Sequence, residues 1–148
     1  MATLGALFFV ALTAFVGALY LPAEKAELED RVASVRATSL LAYRESVINY
    51  LNANPSFTGT VPDSSLTFPW GYVRDSRWTN LVPAAGTLYV YSTATDLGLV
   101  EDHLYRKTLR SFMVGRKVAG QLVAANGFAT GITLPAAIPD GALVFAGR

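Results

Sequence analysis

The chain has no cysteine, which removes structural disulfides, thiolate chemistry and cysteine-based zinc sites together. His103 is the single histidine, so a histidine-paired metal site is excluded as well. No run of carboxylates has the spacing of a hard-metal loop. The serines lie outside any Gly-x-Ser-x-Gly setting, and the glycines form neither a P-loop nor a dinucleotide fingerprint. Asp63 and Asp75 can be named as an acid/base pair, but spacing in sequence gives them no geometry. No catalytic residue, metal or cofactor is expected, and the chain does not read as an enzyme. An excess of charge is missing too. Twelve Lys and Arg against 11 Asp and Glu leave a formal net charge of +1. That argues against a nucleic-acid binder and against a trap for acidic substrates.

Charge is absent altogether from the first 21 residues, in a chain that is 52% hydrophobic. Leu4 to Leu21 reads LGALFFVALTAFVGALYL, with Thr13 and Tyr20 as its only polar side chains. At about 1.5 Å per residue a helix of this run spans roughly 27 Å, close to the hydrocarbon core of a bilayer. Ten of its residues are Leu, Phe or Val, worth roughly −3 to −6 kcal/mol on an insertion scale. The composition thus predicts a transmembrane anchor over residues 1–22 and one folded domain over 23–148. A cleaved signal peptide would need a basic leader and a small-residue cleavage site, and Leu19-Tyr20-Leu21 fits that poorly. A buried helix is the other alternative, although such helices usually keep a polar face. Thr13/Gly17 and Ala14/Ala18 are small-residue pairs that would let a second membrane helix approach. Orientation stays open from the residues alone. Lys25, Arg31 and Arg36 follow the run, yet domains of this length translocate largely regardless of nearby charge.

From Ala23 to Leu51 the pattern is helical, with Leu28, Val32, Val35, Leu40, Tyr43, Val47 and Leu51 as the expected buried stripe. Glu24, Glu27, Glu29 and Asp30 load its first turns with negative charge. Asn52 to Pro55 should stop it. Anchor and helix together would form one rod, bent near Pro22. Residues 52–86 are rich in turn formers and predict loops and short strands. TLYVYST then alternates, with Leu88 and Val90 on one face and Tyr89 and Tyr91 on the other. Thr95 or Asp96 is the expected cap of a further helix that buries Leu97, Val100, Leu104 and Thr108. SFMVGR, QLVAA, an Asn126-Gly127 hairpin turn, GITLP and, after Pro139-Asp140-Gly141, ALVFAG complete a set of strands. The order predicts an α+β fold, with an antiparallel sheet packed on helices.

Three features are candidates for binding. Trp70, Tyr72, Arg74, Arg77 and Trp78 are of the types enriched at interface hot spots, and form the candidate partner-binding set. The competing reading packs the tryptophans on the core, with Asp75 pairing an arginine. His103, Arg106, Lys107, Arg110, Arg116 and Lys117 form a basic run that could face nucleic acid or anionic lipid. Placement late on a helix whose early residues are acidic is the bland account. The charged EKAELEDR segment could associate with another helix or serve as a solvated face.

A hydrophobic N-terminus is followed by AYRESVINYLNANPSFTGTVPDSSL, WGYVRDSRWTNLV, GTLYVYS and a closing LPAAIPDGALV. In this order, over most of residues 40–146, the chain resembles the PilM proteins of plasmid-type thin pili, the type IVb systems of conjugative elements. The resemblance implies a bacterial inner-membrane protein of the pilus assembly machinery with its domain in the periplasm. It implies no enzymatic activity, and partners among other assembly proteins or pilins. The actin-like ATPase of type IVa systems that shares the name is a different, longer protein with a nucleotide site. A minor pilin or pseudopilin is the nearest rival, and a pilin-like layout of the head stays open. Prepilins carry a glutamate at the fifth mature position, ahead of most of the apolar run, whereas Glu24 here follows all of it. A lipid- or DNA-contacting adaptor using Arg106, Lys107, Arg110, Arg116 and Lys117 is the third reading.

Overall fold

The structure, a computed structural model, describes the backbone of residues 2–94 and 96–147 and the side chains of 24–94 and 96–147. Helix α1 runs Ala2–Ala53. The expected anchor over residues 1–22 lies outside the described side chains. Among the described residues no helix is long and apolar enough to cross a membrane. The helix assignment continues through Pro22. The chain divides into two units, Met1–Val32 and Ala33–Arg148. In the first, Glu27 pairs with Arg31 at 2.5 Å and Lys25 with Glu29 at 3.8 Å, each one helical turn apart. Leu28 and Val32 are exposed there.

In the second unit the α1 face that enters the core is Ala33, Ala37, Leu40, Tyr43, Val47 and Leu51. Leu40 onward is as expected. Leu28, Val32 and Val35 are not buried, at 63%, 40% and 70% exposure. The step of five residues from Val35 to Leu40 turns about 140° around a helix, so those two never shared a face. Ala33 and Ala37 continue the buried face instead. The helix ends where Asn54 caps it, its backbone and side-chain amides both donating to the Tyr50 carbonyl at 3.0 and 2.9 Å. Pro55 prevents continuation.

Six antiparallel strands follow: β1 (Thr79–Leu81), β2 (Tyr89–Ser92), β3 (Val114–Val118), β4 (Gln121–Ala124), β5 (Ala129–Thr133) and β6 (Leu143–Ala146). Their spatial order is β1-β2-β6-β3-β4-β5, so the last strand inserts between β2 and β3. Residues alternate between two cores, as the pleat requires. Val90, Val114, Leu143 and Phe145 pack with α1 and with helix α2 (Gly98–Lys107), while Tyr89, Leu122, Val144 and Ala146 pack with Leu134 and Ile138 on the other face. The sheet is therefore covered on both sides at its centre.

Two turns set the β3–β4–β5 meander. Ala119 and Gly120 both have positive φ, 49° and 80°, the signature of a two-residue I′ hairpin. Gly127 (φ 82°) closes the expected Asn126-Gly127 turn, whose backbone bonds join Gly127 to Ala124 and Ala124 to Phe128. Gly115 is required for close strand approach, since a methyl there would run into the Val123 carbonyl and lie 2.7 Å from Ala124 Cα. The expected cap of α2 is corrected. Leu97 occupies the cap position without a side-chain bond, and Asp96 pairs with Arg36 at 3.3 Å instead. Thr95 lies outside the described residues. Val100, Leu104 and Leu97 are buried as expected, whereas Thr108 is half-buried, its hydroxyl donating to the Leu104 carbonyl at 2.8 Å.

Candidate functional site

Pro69-Trp70-Gly71-Tyr72 is a tight turn, closed by the Tyr72 amide donating to the Pro69 carbonyl at 3.0 Å. Gly71 sits at φ 77° in the third position, where a type II turn demands a residue that tolerates the left-handed region. Trp70 is thereby placed at the tip, fully exposed at 102%, with Val73 at 82% beside it. Burying a tryptophan removes a large apolar surface from water, so leaving it outside is costly unless something covers it.

The other members of the predicted set hold this turn in place. Trp78 is entirely enclosed and its indole donates to Ser39 Oγ at 3.3 Å. Tyr72 is half-buried, stacked on Phe68 at 4.6 Å, and its hydroxyl accepts from Ser39 at 3.4 Å. Arg74 spreads its guanidinium over several partners. It donates to Asp63 Oδ2 at 2.8 Å and to the Trp78 carbonyl at 2.6 Å, bonds the Asp75 carbonyl, and lies 4.3 Å over the Tyr43 ring. Arg77 is paired to Asp75 at 3.5 Å and faces Asp96 at 3.8 Å. Among the described residues its Nη1 is buried beyond hydrogen-bond reach of any partner. The five residues are thus brought into one segment but divided in role. Trp70 is presented, and Trp78, Tyr72, Arg74 and Arg77 brace it. Asp63 and Asp75, named together from the sequence, are paired with different arginines, Arg74 and Arg77.

Beneath the turn, Asn80 clamps the segment to α1. Its side chain is wholly buried, accepts from the Val61 amide at 2.7 Å, and donates to the Val61 carbonyl at 2.9 Å and to Tyr43 Oη at 2.7 Å. The phenol in turn donates to Asp63 at 3.4 Å. Burial raises the Tyr43 hydroxyl above the ordinary tyrosine value; the bond from Asn80 and the Arg74 cation oppose this, and Asp63 adds to it. Arg44, lying over Phe145 at 4.3 Å and donating to the Gly147 carbonyl at 3.0 Å, has its proton affinity lowered by burial.

Between this turn and α1 runs a groove of about 410 Å³ lined by Ser34, Val35, Thr38, Ser39, Ala42, Gly71, Tyr72 and Val73. The α1 wall is made of small side chains, so a partner segment could approach the helix backbone closely. Sequence reading missed this groove because it assigned Val35 to the core and passed over Val73. The signals were the five-residue step before Leu40 and the Pro-x-Gly turn that displays its neighbours.

The basic run is dispersed. Arg116 donates to Glu101 at 2.6 Å and to the Gly141 carbonyl at 3.2 Å. Lys117 is 6% exposed, with its ammonium donating to the carbonyls of Pro135 and Ile138 at 3.0 and 2.6 Å. Lys117 is therefore internal, and the half-buried Arg116 is engaged by Glu101 and Gly141. Arg106, Lys107 and Arg110 remain exposed. Among the described residues, no group of three His, Cys, Asp or Glu is placed to hold a metal ion.

The sequence model of the family described as PilM matches residues 8–146. No curated protein matches. Among solved structures, the chain is similar to a protein named PilM from Escherichia coli B7A, with a TM-score of 0.59 at 22% identity, over 79% of this chain and 92% of that one. It is also similar to one named pilM from Pseudomonas aeruginosa 2192, at 34% identity over 78% of this chain and 95% of that one, with a TM-score of 0.45. The first likeness shows the fold.

Proposed function

The chain belongs to the PilM family, and from that membership in a pilus-biogenesis family we propose a non-enzymatic assembly component of a type IVb or thin pilus, anchored in the inner membrane through residues 1–22. In this reading the Ala33–Arg148 unit works in the periplasm and acts through protein contacts. The observation that carries the docking role is the fully exposed Trp70 on a braced turn beside an apolar groove. A large aromatic at the edge of a concave, small-walled surface is the arrangement of an interface hot spot. Pilus assembly proteins or pilins are the partners this surface would receive.

The test uses the full chain in native membranes of pilus-producing cells, with a photo-crosslinking residue at Trp70 or Val73 and intact-mass analysis of the recovered product. Full-length chain joined to inner-membrane pilus proteins supports the reading. A shortened chain recovered within sheared fibres makes the protein a minor pilin. Trp70→Ala with Val73→Ser should abolish the crosslinks made from a second probe at Ala42, while the thermal unfolding curve stays within a degree or two, because both side chains are already in water.

A further inference from the structure

A second apolar surface lies on the same unit, away from Trp70 and unused by the docking reading. The connection from α2 to β3 exposes Leu109 at 92%, Phe112 at 51% and Met113 at 42%, and the β4–β5 turn exposes Phe128 at 56%. The two turns meet. The Phe112 and Phe128 rings are 5.3 Å apart, and the Ala125 amide donates to the Val114 carbonyl at 3.1 Å. Arg106, Lys107 and Arg110 flank Leu109 in sequence and are exposed, with Arg106 Nε donating back to the Asp102 carbonyl at 3.3 Å. No acidic residue occurs from His103 to Pro139, so nothing in these segments cancels the positive charge.

The backbone holds the cluster outward. Arg110 N–H donates to the Tyr105 carbonyl at 2.7 Å and Leu109 N–H to the Arg106 carbonyl at 3.3 Å, the paired bonds of a Schellman motif. That motif places Leu109 at φ 54°, where glycine is the usual residue. An exposed leucine there is unfavourable for both backbone and solvation, which is the pattern of a residue kept for contact.

We propose that these two turns form a contact surface for a bilayer bearing anionic headgroups. Both are tips at one end of the sheet, and tips enter the headgroup region as grooves cannot. Leucine, phenylalanine and methionine at the centre would enter the acyl boundary while the flanking cations meet lipid phosphates. Nucleic acid is a poorer match, since three cations neutralise few phosphates and the aliphatic centre has no base to contact.

The chain has no cysteine, so Ala129→Cys, beside Phe128 and exposed, accepts a single environment-sensitive fluorophore. The full-length labelled protein is reconstituted into phosphatidylcholine vesicles with and without phosphatidylglycerol, including a nitroxide-lipid quencher. Blue-shifted, quenched emission is expected only with phosphatidylglycerol. Each cation removed should lower the engaged fraction roughly fivefold, so Lys107→Glu with Arg110→Glu should abolish the shift, as should Phe112→Ser with Phe128→Ser. Unchanged emission in both lipids overturns the proposal. A blue shift without lipid quenching also overturns it, and assigns the surface to a protein partner. Flotation with the neutral vesicles reports separately on the anchor, so failure there is distinguishable from failure of the surface.

Discussion

Leu109 shows how much a single position can carry. Its left-handed backbone would cost a non-glycine residue roughly 1–2 kcal/mol, of which glycine's extra unfolded-state freedom would return about half. The side chain is 92% exposed, so removing it forfeits almost no packing. Leu109→Gly should therefore raise stability by about 0.5–1 kcal/mol, read as a higher urea midpoint with an unchanged slope. The same substitution should weaken vesicle contact, and a variant gaining stability while losing that contact would separate the two roles. Trp70 and Trp78 teach a related lesson about legibility. Composition marks both as binding types, but only the turn chemistry of Pro69 and Gly71 distinguishes the displayed ring from the buried one. That signal was present in the sequence. The enclosure of Trp78 was not, because it depends on Ser39 and on the path of a loop 39 residues further along the chain.

At the scale of elements, the segment between α1 and β2 is held by polar bonds as much as by apolar contact. Asn80 links strand β1 to Val61, and Tyr43 links both to the helix. Tyr43→Phe keeps the ring against Phe68 and Arg74 but removes the hydroxyl's bonds with Asn80 and Asp63, so it should cost on the order of 1–2 kcal/mol at neutral pH. The pH dependence has a definite sign. The folded hydroxyl is raised above its unfolded value, so the stability it contributes is full below about pH 10 and is lost as pH rises through the folded value. The gap between wild type and Tyr43→Phe should narrow in urea titrations above pH 10; a constant gap would mean that the phenol is not held in its neutral form. Elements with strong local signals were readable beforehand, namely α1 past Leu40, the alternation of β2 and the Asn126-Gly127 hairpin. The Ala119-Gly120 turn was not read as such, since alanine rarely accepts positive φ and gives no composition cue. The exposure of Val35 follows from its five-residue step to Leu40, which takes it off the buried face of the helix.

For the whole molecule, the α+β class followed from the order of helical and alternating segments, while the strand order did not. β6 reaches its place between β2 and β3 by pairings such as Val90 with Phe145, which no local pattern specifies. The proposed anchor belongs to this scale, because it decides where the folded unit works. The ten Leu, Phe and Val residues of its 18-residue run carry an insertion gain of roughly 3–6 kcal/mol, and a central arginine costs roughly 2.5–3.5 kcal/mol. Leu12→Arg should therefore reduce the gain to near zero at its lower end and move a large share of the protein out of the membrane fraction after flotation. Residues 33–148 supply their own core, so the released chain should unfold with the wild-type midpoint. Full retention of Leu12→Arg in membranes would show that residues 1–22 are not a marginal single anchor. Loss of the unfolding transition would instead mean that the run is needed to fold the rest of the chain, which a separate membrane anchor is not.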